Sequence, residues 1–321
     1  MKILNIEPAC YNEQARGLLE KLSEIDYEEC RDPEQLKELL SQKEYDVLML
    51  GLGIFIGSDI LAQGQHLKWI VTPTTGLTHI DLASARKQGI EVVSLKGEYE
   101  FLENIHATAE HCWALLLSLV RYLPRAHQDV LDGYWRRTPF LGKELKGKTL
   151  GIIGCGRLGR KVASFGLTFG MNVCACEISE ESKRKTASSV EFVSIDYLLE
   201  HSDVVSLHLP CDEQTKGFFK RELIRQMKPG SYFINTARGE LVDEVALLEA
   251  LRSGQILGAG LDVLDDDASW GEKVSNTNPL LEFAREGGNV LLTPHIGGYS
   301  QEPVEATRLF VTEKLLEKLN D

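Results

Sequence analysis

Leu150-Gly151-Ile152-Ile153-Gly154-Cys155-Gly156-Arg157-Leu158-Gly159 runs from an apolar strand pattern straight into a Gly-x-Gly-x-x-Gly turn. In such a turn Gly154 permits the tight bend and Gly156 removes a side chain that would block a pyrophosphate. Gly159 lets the following helix lie close to its strand. The helix N-terminus then offers its unpaired N–H groups and its dipole to the phosphates. A helix pattern follows over residues 161–170, and a second short strand, 172–176, ends at Glu177. An acid roughly twenty residues past the glycines accepts ribose hydroxyls and repels the extra phosphate of NADP. The expected cofactor is therefore NAD, with Lys183 and Arg184 close enough in sequence to soften the preference.

A chain of 321 residues is long enough for two domains, each with its own core. Its formal net charge of −13 comes with no basic block that would neutralise a phosphate backbone, so nucleic acid and anionic membranes are not expected partners. The first residues read as one short apolar strand rather than a signal peptide, and no apolar run reaches bilayer-spanning length. The expected compartment is the cytoplasm. Seven cysteines, an odd number, are scattered through strand and helix patterns, which reads as reduced core thiols. Cys174-x-Cys176 lacks a second pair at zinc-finger spacing, so no metal is expected.

Short strand patterns at 3–6, 46–51, 69–72 and 90–94 alternate with amphipathic helix patterns at 13–22 and 33–40, the signature of a small α/β lobe. An apolar helix pattern covers 103–121, and Pro124 is expected to close it. Within it Glu110 reads as a buried structural partner. After the glycine turn the alternation resumes, with strands at 203–209, 231–235, 258–263 and 289–293 and a helix at 242–251: a doubly wound parallel sheet. A final amphipathic helix runs through Leu316. The polar stretch 265–278 is the one notable insertion.

Three features stand at strand ends in the second lobe, where ligands bind in open α/β sheets: Arg238, the run Asp265-Asp266-Asp267, and His295. Hydride transfer between a nicotinamide and a 2-oxo acid needs a cation to fix the carboxylate and polarise the carbonyl, and a proton donor for the developing alkoxide. Arginine and histidine supply those two roles. A carboxylate on the far ring nitrogen of His295 would set its tautomer and favour the imidazolium. Taken singly, Arg238 also reads as a strand cap or a partner of Glu240, and His295 as a structural histidine, one of eight in the chain.

The motifs, in their order and spacing, together resemble the D-isomer-specific 2-hydroxyacid dehydrogenases over essentially the whole chain. The supporting segments are Thr75-Gly76-Leu77-Thr78-His79-Ile80-Asp81-Leu82, Thr108-Ala109-Glu110-His111, Gly147-Lys148-Thr149-Leu150, Asn235-Thr236-Ala237-Arg238-Gly239, Gly260-Leu261-Asp262-Val263 and Thr293-Pro294-His295-Ile296-Gly297-Gly298. The resemblance implies an α/β fold of two Rossmann-like lobes. A doubly wound NAD-binding domain, residues 101–294, would be inserted into a flavodoxin-like substrate domain made of 1–100 and 295–321. It implies that Arg238 binds and polarises the 2-oxo acid, that His295 is the acid/base, and that Asp262 lies by the nicotinamide carboxamide. The substrate carboxylate would rest on Thr75, Gly76 and Leu77. The cofactor would be held by Gly154, Gly156, Arg157, Leu158, Gly159 and Glu177, with Pro210, Thr215, Thr236, Ala237, Asp262 and Gly298. Relatives are typically homodimers through an arm that here includes Tyr134-Trp135-Arg136-Arg137, a stretch that equally reads as an ordinary surface loop. Where the family usually carries a glutamate to pair with the histidine, this chain has Asp267, one methylene shorter, with Asp265 and Asp266 as competitors for the role.

The function implied is an NAD-dependent oxidoreductase for a small D-2-hydroxy or 2-oxo acid, in the style of short phosphoglycerate dehydrogenases or hydroxypyruvate/glyoxylate reductases. With the chain closing on its last helix, no regulatory domain is expected after it. A phosphorylated substrate would ask for extra cations, and His79, Lys96, His106, Arg136 and Arg137 are candidates by position only. The alternative is an NAD(H)-sensing, corepressor-like binding protein on the same fold, since fold alone does not settle function. Formate dehydrogenases, which pair the histidine with glutamine, fit less well.

Overall fold

A computed structural model describes residues 1–21, 24–267, 270, 274 and 278–320. Its contacts divide the chain into two compact units. One is built chiefly from Met1–Asn104 and the C-terminal segment from Tyr299. The other holds Ile105–Asp265 and the stretch that ends at Gly298.

The first unit contains five strands: β1 (Lys2–Asn5), β2 (Glu24–Tyr27), β3 (Val47–Met49), β4 (Trp69–Val71) and β5 (Glu91–Val93). They form one parallel sheet in the order β2-β1-β3-β4-β5, the flavodoxin-like arrangement, whose strand order reverses between β1 and β3. Leu4, Leu48 and Ile70 from the central strands pack with Leu36, Leu40, Ile60 and Leu61 from the covering helices. Strands buried on both faces are why these segments read as continuous apolar runs rather than alternating ones. The edge strand β2 carries Glu24 and Asp26 and is only partly buried, so it has no apolar signature in the sequence. Helix starts are set locally. Asn12 caps Glu13–Glu20 by accepting from the Ala15 N–H, and Asp32 caps Pro33–Gln42, whose first residue is proline.

The helix Gln301–Asn320 closes this unit onto its N-terminal strand. Arg308 donates to the Glu7 carboxylate at 3.2 Å, both side chains mostly buried, and Phe310 stacks on Phe101 at 4.1 Å. Lys314 donates to the Ser94 carbonyl at 3.0 Å and pairs with Glu98.

The second unit contains β6 (Thr149–Ile153), β7 (Asn172–Cys176), β8 (Glu191–Phe192), β9 (Val204–Leu207), β10 (Ser231–Asn235), β11 (Ile256–Leu261) and β12 (Val290–Leu292). All are parallel, in the order β12-β11-β10-β9-β6-β7-β8, a doubly wound Rossmann sheet. The order reverses between β6 and β9, where Ile153 registers with Leu207. The helix Ala107–Val120 covers one face, burying Cys112, Trp113, Leu115, Leu116 and Leu119 against Leu150, Ile152, Val204 and Ile234. It is shorter than the 103–121 pattern suggests. A separate helix, Tyr99–Glu103, precedes it, and the break after Val120 comes at Tyr122, in the left-handed region with φ 53°. Pro124 thus opens the next helix, Leu123–Leu131, rather than closing this one, because its missing N–H costs nothing in a first turn. Glu110 is exposed on this helix, so the expectation of a buried structural partner fails there. Among the described residues no helix is long and apolar enough to cross a membrane.

Burial raises the pKa of Glu7 above the usual carboxylate range, against the opposing pull of Arg308. Replacing Arg308 by Met leaves that carboxylate buried without its cation, at a cost of about 3 kcal/mol at neutral pH. Because a raised native pKa makes the carboxylate costlier as pH rises, the loss should shrink toward pH 5, where Glu7 can take up a proton. Urea unfolding of Arg308→Met at both pH values checks this; an equal loss at both would show that Glu7 is not the group left uncompensated.

Candidate functional site

The glycine turn follows β6, at the strand-order reversal. Gly154 has φ 87°, and a Cβ there would come within 2.9 Å of the His208 carbonyl oxygen, so both the backbone angle and the space demand glycine. Gly156 caps the helix Arg157–Thr168 without any side-chain hydrogen bond to the first turn, and a Cβ at this position would meet nothing within 4 Å. Among the described residues, the space beside the Gly156 Cα at the start of this helix is therefore open. At Gly159 a Cβ would sit 2.1 Å from the Gly154 carbonyl oxygen, which is what holds the helix against the turn. Arg157 donates to the Ile105 carbonyl at 3.4 Å, and Leu158 is partly buried.

Glu177 comes immediately after β7, with one carboxylate oxygen accepting from the Ser179 N–H at 2.7 Å, so its own turn orients it. At the end of β10 the Thr236 hydroxyl is buried with no hydrogen-bond partner among the described residues, while the Ala237 N–H is held by Asn235 at 2.9 Å. The Thr215 hydroxyl donates to the Pro210 carbonyl at 2.6 Å and shapes its own loop. A helix N-terminus without a side-chain cap, a strand-end carboxylate and a buried hydroxyl with no partner among the described residues fit a dinucleotide: donors for the pyrophosphate, an acceptor for ribose, and one further polar group for the ligand.

Arg238, Asp262 and His295 follow β10, β11 and β12, three neighbouring strands, and so stand side by side on one sheet edge. Arg238 is half-buried in extended backbone (φ −150°, ψ 145°). Asn235 donates to its carbonyl at 2.8 Å, and its own guanidinium donates to the Ala237 carbonyl at 2.6 Å. A Cβ on the next residue, Gly239, would lie 2.0 Å from the Leu264 carbonyl carbon, so the Arg238 loop and the exit of β11 are in direct backbone contact.

His295 adopts φ 55°, a left-handed conformation costly for any residue with a side chain. Its N–H donates to the Asp262 carbonyl at 2.8 Å. The Asp262 carboxylate, 2 % exposed, accepts from the Thr293 hydroxyl at 2.6 Å, from the Ile296 N–H at 2.9 Å and from the Gly297 N–H at 2.7 Å. Asp262 therefore ties down the turn that carries His295, a task the motif alone did not disclose. Gly298 is exposed at the end of that turn.

Two histidines to which the sequence assigns no role, His208 and, within the Thr108–His111 motif, His111, belong to this edge. His208, after β9, bonds the Ser206 hydroxyl through Nε2 at 2.8 Å; burial lowers its pKa to about 4, so the ring is neutral. Its one sequence signal is a polar residue closing an apolar strand. His111, on the helix Ala107–Val120, lies 2.9 Å from the Thr293 hydroxyl and 3.2 Å from the Asp262 carboxylate.

In the first unit, the Thr75-Gly76-Leu77 loop follows β4. Thr74 donates to the Gly76 carbonyl at 2.9 Å, and Thr75 is exposed. Asp267 groups with this unit, whereas Asp265 groups with the second. Glu244 accepts from the Asp265 N–H at 2.7 Å and from the Asn278 side chain at 3.0 Å, closing the base of the polar insertion. Most of residues 268–278, the bulk of the polar insertion, lie outside the described residues.

Residues 113–297 match the family model described as D-isomer specific 2-hydroxyacid dehydrogenase, NAD binding domain. The chain is 36 % identical over 276 residues to a hydroxypyruvate reductase of Thermotoga maritima, covering 86 % of this chain and 85 % of that one. It is 33 % identical over 317 residues to a D-3-phosphoglycerate dehydrogenase of Archaeoglobus fulgidus, covering 98 % of this chain but only 57 % of that longer protein. Among solved structures, D-lactate dehydrogenase from Aquifex aeolicus, complexed with NAD and lactic acid, superposes with a TM-score of 0.78. The identity is 30 %, over 100 % of this chain and 96 % of that one. This chain belongs to the NAD-dependent D-isomer specific 2-hydroxyacid dehydrogenases.

Proposed function

We propose that this chain interconverts a small, unphosphorylated 2-oxo acid and its D-2-hydroxy acid, in the manner of a hydroxypyruvate or glyoxylate reductase. The observation that carries the reading is the alignment of Arg238, Asp262 and His295 on three adjacent strand ends, with His295 held in a strained backbone. When bound, the nicotinamide supplies or takes the hydride. Arg238 fixes the substrate carboxylate and polarises the carbonyl, and the Thr75-Gly76-Leu77 loop completes the carboxylate site. His295 hands a proton to the forming alkoxide, and Asp267 orients its ring and favours the protonated form. Glu177 takes the ribose hydroxyls, and the Thr236 hydroxyl finds its partner in the cofactor.

The preference for an unphosphorylated acid rests on how the candidate cations are used. His79 is fully buried and bonded to Thr72 at 3.2 Å. Arg136 is held by both oxygens of Asp129, at 3.0 and 3.1 Å from its Nε, and His106 lies 3.2 Å from Lys161. Three of the five candidate side chains for a phosphate are thus engaged elsewhere in the fold.

The homodimer and the compartment belong to the same reading. The helix Leu123–Leu131 and the loop after it expose Leu123, Leu131, Tyr134, Trp135 and Leu141, with Trp135 at 90 % and Leu141 at 87 %. An apolar run of that kind on a free surface calls for a partner, and a second copy of the chain is the occupant proposed. Buried free thiols, with Cys112 pushed up to about 12 by desolvation, suit a reducing compartment such as the cytoplasm.

With NADH present, hydroxypyruvate and glyoxylate should turn over and 3-phosphohydroxypyruvate should be a poor substrate. His295→Asn should lower kcat by about 10²- to 10⁴-fold while NADH binding, read by fluorescence, stays near wild type. Unchanged turnover in the variant removes His295 from the chemistry, and a preference for the phosphorylated acid overturns the substrate class.

Asp267→Asn should move the high-pH limb of the reduction rate profile to lower pH, because the imidazolium loses its partner. If Asp265→Asn does so instead, the partner is Asp265.

Light scattering should give about twice the chain mass of 35.9 kDa, falling to the single mass in Leu131→Glu/Trp135→Glu. A wild-type monomer contradicts the dimer.

A further inference from the structure

His111 has no part in the chemistry just described, yet its ring nitrogen reaches the one element that carries the proton donor. The left-handed backbone of His295 costs on the order of 1–3 kcal/mol and persists only where its surroundings over-determine it. Here the surroundings are specific. The Asp262 carbonyl holds the His295 N–H, and the Asp262 carboxylate holds the two residues after it, Ile296 and Gly297, through their N–H groups at 2.9 and 2.7 Å. On the other side of His295 the carboxylate holds Thr293 through its hydroxyl at 2.6 Å.

That last bond settles the direction of the next one. The Thr293 hydroxyl has a single proton, and it is given to Asp262, so toward His111 the oxygen can only accept. His111 Nε2 therefore carries a hydrogen and donates it to Thr293 at 2.9 Å, with Asp262 Oδ1 as a second acceptor at 3.2 Å. The ring is anchored on the helix Ala107–Val120, whose neighbours Cys112, Leu115 and Leu116 are in the core. The first turn of the same helix limits the space around the far end of the motif, since a Cβ on Gly297 would come within 3.3 Å of the Thr108 methyl group and 2.8 Å of Asp262 Oδ2. The helix is thus a rigid platform, and His111 is the polar strut between it and the turn.

We propose that His111 is a positioning residue for the acid/base: through Thr293 and Asp262 it holds the turn that aims His295. The inference rests on the reading of His295 as the proton donor. His111→Leu should lower kcat by roughly 10- to 100-fold, the scale on which a small misplacement of a reacting group acts, with NADH affinity and KM for NADH unchanged. His111→Gln, which keeps a side-chain N–H donor, should recover most of the lost rate. Thr293→Val should resemble His111→Leu, and Thr293→Ser should resemble wild type. The double variant His111→Leu/Thr293→Val should be little worse than either single one, because both remove the same strut.

If His111→Leu does not yield folded protein, the Thr293→Val and Thr293→Ser pair decides the matter alone. A wild-type kcat in His111→Leu or Thr293→Val overturns the inference, as does a loss that His111→Gln shares in full or one accompanied by weakened NADH binding. His295→Asn run alongside separates the two readings. If it keeps its turnover, the assignment of His295 has failed; if it is inactive while His111→Leu is not, only the strut has failed.

Discussion

The pairing of β6 with β9 is the constraint on which the second unit depends. Registering Ile153 with Leu207 in a parallel sheet reverses the strand order at that seam, so the chain leaving β6 and the chain leaving β9 turn to opposite faces and leave a crevice above the strand ends. The glycine turn occupies that point. Its steric demands come from the same seam: the space a side chain on Gly154 would need is filled by the backbone of His208, which directly follows β9. Because every strand runs the same way, β10, β11 and β12 deliver Arg238, Asp262 and His295 to the same edge, so a cofactor cradle and a set of chemical groups arise from one topological fact.

Placement on an edge does not by itself aim a side chain. The backbone of His295 is held where an L-residue resists going, and the holding is done by a buried carboxylate whose ligands are the turn itself. Asp262 satisfies the requirement for a buried charge by accepting several hydrogen bonds, and the same bonds make the turn rigid. On the proposed assignment of His295 as the proton donor, little reorganisation would then be needed when the carbonyl oxygen gains charge, which is how preorganised sites lower barriers.

What could be read from the sequence was local or repetitive. The glycine turn, the acid after β7 and the apolar runs of the buried strands are each contained within a few consecutive residues. The short edge strands escaped for the opposite reason: β2 carries two acids in four residues and β8 has only two residues, so neither presents a buried pattern. The apolar spacing over 103–121 predicts a single helix because it carries no sign of the left-handed Tyr122 after it or of the separate short helix before it. Glu110 and His111 are adjacent in one motif, and the structure separates them, the acid facing solvent and the histidine reaching a hydroxyl 182 positions away. A contact over such a distance has no local signature. The same holds for Glu244, which gathers both ends of the polar insertion.

The most direct test of the account is the identity of the product. Wild-type protein, hydroxypyruvate and NADH would be incubated together, and the glycerate formed would be resolved by chiral chromatography. The account predicts D-glycerate, formed mole for mole with NADH consumed. L-glycerate, or NADH bound tightly with no hydroxy acid formed from any small 2-oxo acid supplied, would contradict it.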